Sequence, residues 1–147
     1  MKFSVILSSA AVAAAAVINK REVKWEVSKF GANCIGHSTQ CSVGFTVIQP
    51  QNGEFIGTQC DVRVSAIPGA GGPNVIPDIF DAKCTNSSRT FNLVRSEEGL
   101  TLSVAQQISV VSFRNGTHLL PSSDFKITNE PNAWVEAYTG PDAFNLE

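Results

Sequence analysis

The densest concentration of reactive side chains is the octet Cys34-Ile35-Gly36-His37-Ser38-Thr39-Gln40-Cys41, which sets an imidazole and two hydroxyls between two cysteines. An imidazole beside a hydroxyl can activate a nucleophile, but only with a third group to orient the base and donors to hold an oxyanion. Adjacent residues on a turn point apart, so His37, Ser38 and Thr39 read as a polar loop that contacts a partner and not as a catalytic set. His118 is the only other histidine. No H-x-H, H-E-x-x-H or C-x-x-C spacing occurs, so neither a metal site nor a cofactor is expected. The acidic residues do not fall at a calcium-ligand spacing. Asp78 with Asp81, and Glu97 with Glu98, are the carboxylate pairs that a glycosidase would need. The first pair flanks an apparent edge strand, which charges protect from aggregation, and the second sits beside Gly99 in a turn where charges are solvated. The run Gly69 to Gly72 lacks the Lys-Ser/Thr and the helix of a phosphate loop. The chain reads as a non-enzyme.

Cys34, Cys41, Cys60 and Cys84 allow three pairings. Cys34 with Cys41 and Cys60 with Cys84 is favoured, because the first pair brackets a short turn and the second closes a loop between two strand-like runs. In the chain-entropy picture the short bridge stabilises by about 2.5 kcal/mol and the longer one by about 3.5 kcal/mol. Trp25 belongs to the core. Trp134 alternates with Glu136 and Tyr138 opposite Ala133, Val135 and Ala137, so Trp134 and Tyr138 are candidates for an outward aromatic contact row. Asn86-Ser87-Ser88 and Asn115-Gly116-Thr117 are N-glycosylation sequons, although Asn115-Gly116 is also the strongest tight-turn dipeptide in the chain.

The elements that must carry these residues follow a leader. Lys2 precedes an apolar run from Phe3 to Val17, and Ala14 with Ala16 supplies the small-x-small pattern of a signal peptidase site. The run is too short and alanine-rich for a membrane span, so the protein is expected to be secreted and extracellular. Lys20 and Arg21 offer a dibasic site for a kexin-like protease, which would leave residues 22–147 as a single domain. Loss of residues 1–21 lowers the basic count from 11 to 8 against 13 acidic residues, a net charge of −5. Such a chain disfavours nucleic acid and anionic membrane surfaces. An exported chain also meets oxidising conditions, which fits paired cysteines.

Beyond the leader, apolar residues recur at every second position in short runs. Val23, Trp25 and Val27 share one strand face, and Val43, Phe45 and Val47 another. From Gly57 to Ile67, Cys60, Val62, Val64 and Ala66 alternate with Asp61, Arg63 and Ser65. Pro68 to Pro73 reads as a mobile loop that cannot hold a ladder, and Ile76 to Ala82 as an edge strand interrupted by Pro77. Thr90–Arg95 and Leu100–Gln106 form a hairpin about Glu97, Glu98 and Gly99. Val110 to Phe113 leads into a turn at Asn115-Gly116, with His118 to Leu120 returning. Phe125 with Ile127, and Val135 with Ala137, supply the last strands. The expected fold is all-β, an antiparallel β-barrel or β-sandwich of about eight to ten short strands.

Trp25-x-Val27-x-x-Phe30, then Cys34-x-x-His37-Ser38-Thr39-x-Cys41 and Phe45-x-Val47, resemble the Alternaria major-allergen-like family of small secreted fungal proteins, which includes hypersensitive-response-inducing elicitors. The resemblance covers the mature chain through size, cysteine number and strand rhythm, and has motif detail only from Trp25 to Val47. It implies a disulfide-bonded antiparallel β domain, no enzymatic activity, and an effector or elicitor that plants perceive or that binds a host protein or cell-surface receptor. The founding allergen has cysteines late in its chain, whereas none follows Cys84 here. A secreted carbohydrate-binding or cell-wall module is the alternative expectation, on the strength of Trp134 and Tyr138.

Overall fold

The computed structural model describes residues 22–129 and 131–147. The leader, with Ala16 and the dibasic pair Lys20 and Arg21, lies outside the described residues.

Alternation of buried and exposed residues builds the first three strands. β1 (Trp25–Cys34), β2 (Gln40–Ile48) and β3 (Thr58–Ser65) form an antiparallel meander. β2 is the clearest case, because Cys41, Val43, Phe45 and Val47 are fully buried while the residues between them are partly exposed. β4 (Ile67–Pro68) and β5 (Asn74–Val75) then pair around Gly69–Pro73. This corrects the expectation of a mobile loop that holds no ladder. Pro68 enters the ladder at the hairpin end, the Gly69 amide donates to Pro73 O at 2.7 Å, and Gly71 and Gly72 supply the positive φ that closes the reversal.

β6 (Ile79–Lys83), β7 (Arg89–Arg95), β8 (Gly99–Ser109) and β9 (Ser112–Pro121) make a second antiparallel sheet in that order. β6 is its edge and is bulged between Ile79 and Ala82, where Asp81 has φ 51°. The β7–β8 hairpin turns at Ser96 to Gly99, as expected. The β8–β9 hairpin does not turn at Asn115-Gly116. It turns at Val110-Val111, and Asn115 and Gly116 lie in mid-strand opposite Ala105 and Val104. Packing overrides turn propensity here. A Cβ on Gly116 would stand 2.6 Å from Trp25 Cδ1 and 3.0 Å from Leu146 Cβ, so the glycine makes room for the buried indole.

β10 (Phe125–Asn129) and β11 (Trp134–Tyr138) form a hairpin, and β12 (Phe144–Leu146) closes the chain. Along the edge opposite β2, β1 serves two neighbours. Its first residues, Trp25 to Val27, pair with β12, and beyond an irregularity between Ser28 and Gly31, Asn33 pairs with Ala137 of β11. Counted with the dipeptide strands β4 and β5, the described residues form twelve strands.

The two sheets face each other across one core containing Trp25, Phe45, Phe91, Leu100 and Leu102, all essentially inaccessible to solvent. Both seams between them are stitched. On one side Cys60 of β3 bridges Cys84 just after β6, and the Thr85 amide donates to Gln59 O. On the other side Thr117 of β9 and Glu147 exchange backbone bonds of 2.9 and 3.1 Å. The pairings therefore run in a circuit β3-β2-β1-β12-β9-β8-β7-β6 and back to β3, which protects the strand edges. The other bridge joins Cys34 to Cys41, directly opposite each other in the β1–β2 ladder. Both disulfides are those favoured by the spacing.

Candidate functional site

The reactive octet is the β1–β2 connection, and its disulfide clamps the base of a short turn. Within it the Ile35 amide donates to Gln40 O at 2.9 Å, the Ser38 amide to Ile35 O at 3.2 Å, and the Gln40 amide to Ser38 Oγ at 3.2 Å. His37 occupies the left-handed region at φ 57°. Two neighbours grip the turn from outside. Asn74 Nδ2 donates to Ser38 O at 3.1 Å, and the Ala66 amide donates to Thr39 O at 2.8 Å. His37 Nε2 lies 2.7 Å from Pro131 O in the β10–β11 reversal and donates to it. His37 and Thr39 are nonetheless exposed, and Ser38 is half-buried.

His37, Ser38 and Thr39 thus sit together on a rigid, solvent-facing reversal. His37 Nε2 and Ser38 Oγ take separate partners, Pro131 O and the Gln40 amide, so they are not aligned as base and nucleophile. No group of three or more His, Cys, Asp or Glu side chains that could hold a metal ion occurs among the described residues. A shallow cleft of about 460 Å³ separates this turn from the β10–β11 hairpin, lined by Asn33, Ile35, His37, Thr128, Pro131 and Val135 among others. The Thr128 hydroxyl is buried there without a hydrogen-bond partner.

The expected aromatic row does not form. Trp134 is 59% exposed at the start of β11, but Glu136 is buried and Tyr138 half-buried. Glu136 turns inward because Arg95 approaches from the second sheet, with contacts of 2.6 and 3.1 Å, and because it accepts the Ile76 amide at 2.9 Å. Tyr138 packs edge-on to Phe30 at 5.0 Å and donates its hydroxyl to Pro141 O at 2.9 Å. Burial, with Asp124 and Asp142 nearby, raises its ionisation above the usual range. Trp134 therefore stands apart from Tyr138 as a single exposed indole.

Asn86 is exposed at the β6–β7 turn with φ 51°, and Asn115 is exposed on β9, so both sequon side chains face solvent. The sequence gives no warning of a further feature, the nearly full exposure of Phe55, Ile56, Val110 and Val111 at two chain reversals. Val110 and Val111 continue a strand-like apolar run, and only the register of β8 on β9 reveals them as a turn. No family model, no curated protein and no solved structure matches this chain.

Proposed function

We propose that this is a secreted, non-catalytic recognition protein of the fungal effector or elicitor type, perceived by a plant or bound to a host protein. The observation that carries the reading is the preorganised turn of Cys34–Cys41, locked by its disulfide and by the His37–Pro131 bond while His37 and Thr39 remain open to solvent. A contact loop held in one conformation loses little entropy on binding, so a small polar surface can give affinity. The two disulfides are consistent with an extracellular protein, and the leader sequence supports export. The partner expected is a plant protein or cell-surface receptor. Infiltration of the secreted protein into leaves tests the reading. Cell death or defence induction is expected at micromolar dose, weakened about tenfold or more by His37→Ala with Thr39→Ala. Leaves that show no response to the wild-type protein would count decisively against it.

The exposed Trp134 favours a second reading, a secreted carbohydrate-binding module in which the indole stacks on a sugar face. A glycan array gives the answer. Specific binding that Trp134→Ala abolishes supports this reading, and silence of the wild-type protein removes it.

A further inference from the structure

Two neighbouring reversals carry large apolar side chains outward. The β2–β3 connection bears Phe55 and Ile56, 96% and 87% exposed, and the β8–β9 turn bears Val110 and Val111, 90% and 91% exposed. Ile108 and Phe113, each 59% exposed, flank the second pair. The reversals lie side by side, since Gln51 shares one surface hollow with Ile108 and Phe113, and Asn52 another with Ile108. Arg89 ties them together, binding Glu54 on one and Gln106 of β8, the strand that leads into the other.

The fold has no need of these residues. Tight hairpin turns favour Asn, Asp and Gly, and neither Val110 nor Val111 adopts the positive φ for which such residues are selected. Exposed apolar clusters of this kind mark a surface that meets another apolar phase. Charge narrows the choice of phase. Residues 105–113 contain no charged side chain, and among 49–58 the only one is Glu54, neutralised by Arg89 at 2.8 Å. Behind the tips stand Gln, Asn and Ser, followed by Glu22, Lys24 and Arg114, a mixed collar. Within this collar, Glu22 accepts a hydrogen bond from Gln51 Nε2 at 2.5 Å. Shape narrows it again. Two convex tips leave gaps when apposed to the same tips of a second copy, whereas a fluid lipid layer closes around them.

We infer that this end docks on a zwitterionic phosphatidylcholine bilayer, with Phe55-Ile56 and Val110-Val111 entering the boundary between headgroups and acyl chains. Glu54 and Arg89 brace the first tip from below, and the mixed collar rests among the zwitterionic headgroups.

Flotation of the secreted protein with pure phosphatidylcholine vesicles, at low and high salt, tests the inference. Binding is expected at both salt concentrations. Val110→Asp with Val111→Asp, or Phe55→Asp with Ile56→Asp, should each weaken it at least about tenfold, as loss of two inserted side chains requires. All four positions face solvent, so thermal unfolding of these variants should match wild type. Val111→Trp should add a blue-shifted emission component on vesicle addition. Absence of flotation, binding unaffected by both double variants, or binding only to anionic vesicles and lost at high salt would each overturn the inference. So would a dimer, seen by analytical ultracentrifugation, that the double variants dissociate.

Discussion

The Arg89 guanidinium grips the Glu54 carboxylate through two bonds, of 2.8 and 3.0 Å, while lying 4.8 Å from the centroid of the buried Trp25 ring. Arg89 is 7% exposed and also donates to Val47 O, Thr58 Oγ1 and Gln106 Oε1. It therefore joins both sheets to the loop that presents Phe55 and Ile56. Arg89 is buried and Glu54 partly exposed, so removing Glu54 leaves a buried charge without its carboxylate. Glu54→Ala is expected to destabilise by about 3 kcal/mol, at the low end for such a break because Arg89 keeps three other acceptors. Urea unfolding followed by tryptophan fluorescence measures it, and a loss under about 1 kcal/mol would show that the pair behaves as an ordinary surface salt bridge.

Gly116 and Trp25 make a second prediction. Gly116→Ala must push the Trp25 indole or Leu146 aside and should cost about 1–3 kcal/mol. Gly116→Ala keeps the sequon Asn115-x-Thr117, whereas Asn115→Gln removes it from an exposed position and should leave stability nearly unchanged. Comparing the melting temperatures of both variants, alongside their intact masses, separates the packing role from glycan loss.

Acid stability should fall in two windows. His118 stacks on Phe144 at 4.3 Å, and burial holds its ionisation below the ordinary 6.5, only partly offset by the Asn145 backbone and the Glu147 charge. The unfolded chain then binds the proton more readily, so stability declines as pH drops below about 6.5. Burial pushes the Glu54 carboxyl up, but Arg89 and the Gln49 amide outweigh it and hold it below the ordinary 4.5. Its contribution is fully present above that value and is lost as pH falls through the lowered one. Unfolding free energies measured across pH should show both declines, and His118→Gln should flatten the upper one alone.

The disulfides should contribute unequally. Cys60–Cys84 closes a separation of 24 residues and fastens one seam between the sheets, whereas Cys34–Cys41 closes only 7 within an existing ladder. Replacing Cys60 and Cys84 by Ser is expected to cost about 3.5 kcal/mol and replacing Cys34 and Cys41 about 2.5 kcal/mol. Denaturant midpoints in the reverse order would place the constraint elsewhere.

Local patterns made much of this protein legible. Period-two alternation alone identified β2 and β3, the charged turn near Gly99 marked the β7–β8 hairpin, and cysteine spacing indicated both bridges, because each of these signals acts between near neighbours in the chain. The polar octet was likewise visible as a loop. What sequence could not disclose depends on groups far apart in the chain. Arg95, 41 residues away, draws Glu136 inward and breaks the Trp134–Tyr138 row. Trp25 requires the absent Cβ of Gly116, and so holds a turn dipeptide in mid-strand while the reversal moves to Val110-Val111. Pro131 anchors His37 across 94 residues. Composition, periodicity and cysteine spacing determined an all-β domain with two disulfides. Only the closing of one sheet on the other decided which side chains are buried and which are presented to solvent, since burial is a property of what packs opposite and not of the residue itself.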